Sequence, residues 1–253
     1  MKLTDRLLRL LLAAAAALFA ALPVQAQEAQ EAAIRKVLTA RLPQLKVDEV
    51  TRTAVPGIYE VRYGGTEILY TDEHADYVFT GSMVDTKTRA DLTEQRIAKL
   101  TAVDFDKLPF KDSMVFRQGS GARKMAVFVD PNCGFCKRFE RDLVQLKDVT
   151  IYTFMIPILS ADSITKARDI WCSKDPAHTW RAWMLDGQAP MRMMGNTCDT
   201  SALDRNLAFA QKEHINGTPS VFFADGTRKP GAMSGAEVEK LLVATSAAAA
   251  RKH

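Results

Sequence analysis

Hydrophobic positions along the chain change period more than once. Ile34, Val37, Leu38 and Leu42 recur at three- and four-residue steps, one apolar face of a helix. That helix follows a polar, Ala-rich stretch at 27–33 and ends near Pro43, whose ring cannot continue it. From Ile58 the period falls to two. Tyr59, Val61 and Tyr63 alternate with Ile58, Glu60 and Arg62, Gly64-Gly65 interrupts, and residues 66–70 resume the pattern. Two such runs around a Gly-Gly pair predict a β-hairpin. A third strand is expected at 76–80. Residues 27–88 therefore form a small α+β unit, marginal alone at this size, which points to pairing with a second chain or docking onto the rest of this one.

A helix is expected next, within a linker at 89–108. Leu92, Ile97, Leu100 and Val103 are sparse among Thr93, Glu94, Gln95, Arg96 and Lys99, a composition suited to a mostly solvated helix between domains. Pro109 closes it, and Gly119-Ser120-Gly121 is a flexible break. The remainder, 109–253, reads as α/β. It comprises a strand at 125–129, a helix over 133–146, a β-rich run at 150–159 and a long helical stretch at 161–213. A strand at 220–224, an Asp225-Gly226 turn, the segment 229–234 and a final helix from Ala236 complete it.

The first residues change the setting. Lys2, Arg6 and Arg9 precede fifteen uncharged residues, Leu10 to Val24, and Val24-Gln25-Ala26 fits a small-residue cleavage pattern. This predicts a secretory signal peptide at 1–26, since the apolar run falls short of the roughly 20 residues that span a bilayer. Residues 1–26 hold three positive charges and one negative, so their removal leaves +2 of the chain's +4. So weak a balance gives no footprint for nucleic acid. Export also means that disulfides can form and persist.

Four cysteines, Cys133, Cys136, Cys172 and Cys198, are too few to staple a core of this size. Two sit in Cys133-Gly134-Phe135-Cys136. The strand before them stops at Asp130-Pro131, and Asn132 is a favoured N-cap, so Cys133 is expected to open a helix. A sulfur there meets unpaired N–H groups and the positive end of the helix dipole, which favour thiolate. Lys137, Arg138 and Arg141 add positive charge. Cys136 shares the inward register of Phe139, Leu143 and Leu146. The pattern predicts an accessible attacking thiol at Cys133 and a recessed resolving thiol at Cys136, the pairing that thiol–disulfide exchange needs. A zinc site would need a second ligand pair at short spacing. Cys172 and Cys198 lie 26 positions apart, and His178 and His214 pair with neither, so no metal site is expected. In an oxidising compartment, Cys172 and Cys198 read most simply as one structural disulfide. A second redox centre there would lack the helix-start context.

With Gly217-Thr218-Pro219-Ser220 ahead of the strand at 221–224, the chain resembles the thioredoxin superfamily. Together with the leader, the first α+β unit and the linker helix, it resembles in particular the periplasmic DsbC/DsbG-like disulfide isomerases. That resemblance extends to Asp225-Gly226-Thr227 and to the stretch from Gly57-Ile58-Tyr59-Glu60-Val61 to Gly81-Ser82-Met83-Val84-Asp85. It implies a cis peptide bond before Pro219, a substrate-binding role for Thr218 and Pro219, a non-catalytic Cys172–Cys198 bridge, and dimerisation through 27–88. It further implies a thioredoxin-like catalytic domain over 109–253 with a helical insertion. The expected partners are misoxidised or unfolded exported proteins, a second copy of the chain and a DsbD-type membrane reductant. The sulfurs carry the electrons, so no bound cofactor is expected. Two departures stand out. Phe135 replaces the tyrosine common in the dipeptide, and Val127 occupies the place where many thioredoxin relatives bury a carboxylate. The competing functions are a DsbA-like oxidase, which typically lacks the first domain, and a redox-independent chaperone.

Overall fold

The structure is a computed structural model describing residues 27–193 and 198–249. The expected signal peptide lies outside the described residues. The chain divides into two compact units, with the boundary between Ile97 and Ala98.

In the first unit, helix α1 (27–41) packs on an antiparallel meander of β1 (Val47–Arg52), β2 (Ile58–Tyr63), β3 (Glu67–Asp72) and β4 (Val78–Phe79). Ile34 and Leu38, two of the periodic positions, meet Val50, Tyr59, Val61, Leu69 and Ala75. The β2–β3 hairpin runs in register from Ile58↔Asp72 to Tyr63↔Glu67. Its connection places Gly64 and Gly65 at φ of 55° and 92°, where a Cβ would be strained. Strand β1 was not expected: V-D-E-V-T-R buries only Val50 completely, so its alternation carries little apolar signal. A short pair, β5 (Val84–Asp85) and β6 (Ala90–Asp91), leads into α2 (Leu92–Thr101). The division of the chain falls within α2. The rest of the expected linker helix is not helical in the same way: Phe105–Lys107 is a separate 3-10 turn, started by Asp104, whose side chain accepts from the Asp106 amide.

The second unit contains a five-stranded sheet. Its strands are β7 (Met114–Gln118), β8 (Arg123–Val129), β9 (Val149–Met155), β10 (Ser220–Phe223) and β11 (Arg228–Pro230). Their spatial order is β11-β10-β8-β9-β7, with β8 and β9 parallel and the other pairs antiparallel. Strand β8 is apolar and buried from Met125 to Val129, where both of its faces are covered. Met125, Val127 and Val129 face one core, with Cys136, Phe139 and Leu143 of α3 (Gly134–Leu143) and with Val238 and Leu242 of α7 (Gly235–Ala249). Ala126 and Phe128 face the other, with Phe154, Phe222 and Ile215. Phe128 stacks on Phe154 at 4.7 Å and on Phe209 at 5.7 Å.

The long helical stretch resolves into α4 (Ala161–Trp171), α5 (Pro176–Asp186) and α6 (Ser201–Lys212). The breaks have local causes. Asp175 caps α5 by accepting from the His178 amide, with Pro176 in the first turn, and Gly187 ends it in the left-handed region at φ 71°. Cys172, at the end of α4, is bonded to Cys198, just ahead of α6. Met184 of α5 is buried in the core, whereas Met191 beyond it is exposed.

Candidate active site

Strand β8 delivers the chain into Asp130-Pro131-Asn132-Cys133. Asp130 is fully buried, and its carboxylate accepts four hydrogen bonds: from the Asn132 amide at 2.7 Å, Ser163 Oγ at 2.8 Å, and the Ile158 and Leu159 amides at 2.8 and 3.0 Å. A buried carboxylate supplied this fully is held in place, and it fixes the turn that follows. Trp183 secures the same turn from α5, its indole N–H donating to the Pro131 carbonyl at 2.6 Å.

Cys133, not Asn132, caps α3. Its backbone is extended (φ −72°, ψ 112°), and its Sγ accepts from the Cys136 amide at 3.1 Å. Asn132 instead turns its amide to Asp162 and to the hydroxyls of Ser160 and Ser163. Sulfur is therefore the acceptor for the orphan donors of the helix start.

Both thiols are free and both are buried, Cys133 at 4% exposure and Cys136 at 2%. The expected contrast between an open and a recessed thiol is corrected to one of acidity. The cause of the burial lies far along the chain: the Thr218 carbonyl accepts from the Cys133 thiol at 3.2 Å, across 85 positions of sequence. Gly134 and Phe135, between the cysteines, are both exposed, Phe135 at 61%.

The Cys133 thiol is lowered from the ordinary 9.0 to about 6. The largest cause is the hydrogen bond from the Cys136 thiol; burial opposes it, while the Thr218 side chain and the amides of Cys136 and Phe135 add to it. Cys136 moves the other way, pushed up first by burial and then by its bond to Cys133. The basic residues contribute less directly than the sequence suggests. Lys137 lies 3.7 Å from the centre of the Trp183 ring and Arg138 5.0 Å from that of Phe135.

The Thr218-Pro219 peptide bond is cis, and the Pro219 carbonyl accepts from the Gly231 amide at 2.8 Å. The Thr218 hydroxyl is buried without a conventional hydrogen-bond partner, and its dipole favours both thiolates. Val127 is buried core, so the place of the thioredoxin carboxylate is apolar here.

Sequence reasoning missed two buried acids close to the motif. Asp130 stood in view as the last residue before Pro131. Glu140 is one helical turn after Cys136, on the inward register, and pairs with the Trp180 indole at 3.1 Å and Arg181 at 3.2 Å. Burial raises its carboxyl above the usual range. Among the described residues no cluster of three or more His, Cys, Asp or Glu side chains is placed to hold a metal ion.

A mixed sheet with a dithiol at a helix start and a cis-proline facing it defines a thioredoxin-like dithiol domain. Residues 110–246 match the thioredoxin-like domain model, and residues 25–94 match that of the disulfide bond isomerase N-terminal domain. A probable thiol:disulfide interchange protein DsbC of Bordetella pertussis is 42% identical over 218 residues, covering 86% of this chain and 76% of that protein. The Escherichia coli thiol:disulfide interchange protein DsbC is 25% identical, covering 85% of this chain and 88% of that protein. A crystal structure of a disulfide interchange protein from Neisseria gonorrhoeae is 33% identical, with a TM-score of 0.51 over 55% of this chain and 98% of the other. The chain belongs to the DsbC family.

Proposed function

We propose that the protein is a disulfide isomerase and reductase in which Cys133 is the nucleophile and Cys136 the resolving thiol. The acid thiol of Cys133 beside the poorly ionised Cys136 is the observation that carries this reading. The Cys133 thiolate attacks one sulfur of a substrate disulfide, forming a mixed disulfide and releasing the other substrate sulfur as a thiolate, which takes up a proton. In isomerisation a different substrate thiolate attacks the mixed disulfide; a substrate disulfide is remade and Cys133 leaves reduced. In reduction Cys136 loses its proton and attacks Cys133. The substrate leaves as a dithiol, and Cys133 and Cys136 are left bridged. Two electrons and two protons from a dithiol reductant of the DsbD type then restore the pair.

Thr218 and Pro219 hold an extended substrate segment beside Cys133 by strand-like pairing. Cys172–Cys198 braces the insertion and takes no part in exchange. Residues 27–88 serve dimerisation, for which the short edge strand β4, with Tyr77, Val78 and Phe79 exposed, offers a surface. The work is done in the periplasm, on exported proteins with wrong disulfides, after removal of residues 1–26. Among the described residues no helix is long and apolar enough to cross a membrane.

Refolding of scrambled ribonuclease by the reduced protein tests the proposal. Activity is expected from the wild type and none from Cys133→Ser, while Cys136→Ser accumulates a mixed disulfide with substrate. Isomerisation that survives Cys133→Ser would refute the assignment.

A further inference from the structure

Arg228 is an unusual core residue: a guanidinium only 8% exposed whose three hydrogen bonds go to neutral oxygens. Nε donates to Ser220 Oγ at 3.0 Å, Nη1 to the Glu213 carbonyl at 2.9 Å and Nη2 to the His214 carbonyl at 3.0 Å. The Phe222 ring lies beneath it at 5.5 Å. Glu213 and His214 follow α6, where helix carbonyls are left unpaired and the dipole is negative, so a buried cation is tolerated there. Burial still lowers its pKa, partly offset by the charge of Glu213.

The fork grips the chain on both sides of one short segment. Glu213 and His214 enter it, Ser220 leaves it, and Gly217, Thr218 and Pro219 lie between. Gly217 has open space where a Cβ would stand, so no side chain wedges that residue in place. His214 sits at φ 50°, a sharp reversal in the same stretch. Thr218 then meets the Cys133 sulfur through its carbonyl at 3.2 Å.

We infer that Arg228 is a positioning residue for the dithiol, its three-pronged grip on Glu213, His214 and Ser220 holding Thr218 and Pro219 against Cys133. The inference rests on the proposed role of Cys133. Arg228 touches neither sulfur and acts through the segment it spans. Lysine keeps the charge but offers one nitrogen in place of a planar fork, and it cannot reach three diverging oxygens in this way.

The test is alkylation of Cys133 by iodoacetamide as a function of pH, read by mass spectrometry on the reduced full-length protein. Wild type, Arg228→Lys and Ser220→Ala are compared. The segment acts on the Cys133 acidity in opposed ways, its cover and its carbonyl acceptor favouring the thiol and the Thr218 hydroxyl favouring the thiolate. The deciding readout is therefore the limiting alkylation rate above the midpoint, which reports how well the sulfur is covered. We expect Arg228→Lys to raise that rate several-fold, because a loosened segment uncovers the sulfur. Ser220→Ala raises it less. A folded Arg228→Lys protein with the wild-type rate overturns the inference, even if it melts earlier, because a purely structural role changes stability alone. Should Arg228→Lys fail to fold, Ser220→Ala decides: a raised rate supports the inference and an unchanged one overturns it. A wild-type protein that does not isomerise disulfides would refute the proposed function instead, whatever the Arg228 result.

Discussion

The opposed acidities of the two thiols predict how the redox equilibrium of the pair depends on pH. The perturbation is proton concentration alone, between about pH 5 and 8. Below about 6 the reduced protein holds both thiol protons; above it, Cys133 is ionised while Cys136 stays protonated. Glutathione keeps its proton over most of this range, as an ordinary thiol of pKa near 8.5 does. Oxidation of the protein by glutathione disulfide then has a constant that is flat below about pH 6. Above it the constant falls about tenfold per pH unit, because the thiolate stabilises the reduced form. For a two-electron couple that is about 30 mV per unit relative to glutathione. The equilibrium is read by acid quenching, alkylation and mass spectrometry at each pH. A constant that stays flat to pH 8 would refute the reasoning, for Cys133 would then titrate like any surface thiol. A fall of about a hundredfold per unit would mean that Cys136 ionises as well.

The same depressed thiol ties stability to pH: the folded state releases the Cys133 proton near 6, the unfolded state near 9, so stability is gained as pH rises between them and lost again on acidification. Urea melts of the reduced protein against Cys133→Ser should show a gain approaching about 4 kcal/mol by pH 9, of which about 1.4 is present at pH 7. Replacing Cys172 and Cys198 together by alanine opens a loop of sequence separation 26 and should cost about 3–4 kcal/mol, with Cys133 alkylation unchanged. The Asp112–Arg205 pair should respond unequally, because Asp112 is 2% exposed and Arg205 46% in their side chains. Arg205→Ala strands a buried carboxylate and should cost about 3–5 kcal/mol, well above Asp112→Asn; equal losses in thermal melts would count against that reading.

Much of this was legible in the chain. The face made by Ile34 and Leu38, the Gly64-Gly65 hairpin and the apolar run of β8 each follow from a local period, and local periods survive folding. Strands β1 and β7 did not announce themselves: V-D-E-V-T-R is mostly polar, and M-V-F-R-Q buries alternate residues over too short a span beside a glycine-rich break. At the site, the motif placed Cys133 at a helix start, but its burial depends on Thr218, which no local pattern connects to it. The exchange of roles between Asn132 and Cys133 has a similar origin. Ser160, Asp162 and Ser163, about thirty residues away, draw the Asn132 amide off the helix end.

A thiolate that is abundant at neutral pH yet almost wholly covered has a chemical consequence. Peroxides and other small oxidants drive exposed thiolates toward sulfinic and sulfonic acids, which the protein's own dithiol chemistry cannot reverse. Here such an oxidant, like any small reagent, must first reach a sulfur lying under the Thr218 carbonyl. Under the role proposed for Cys133, that cover sets how fast oxidants and substrate disulfides alike meet the thiolate, so acidity and accessibility become separate controls on its reactivity.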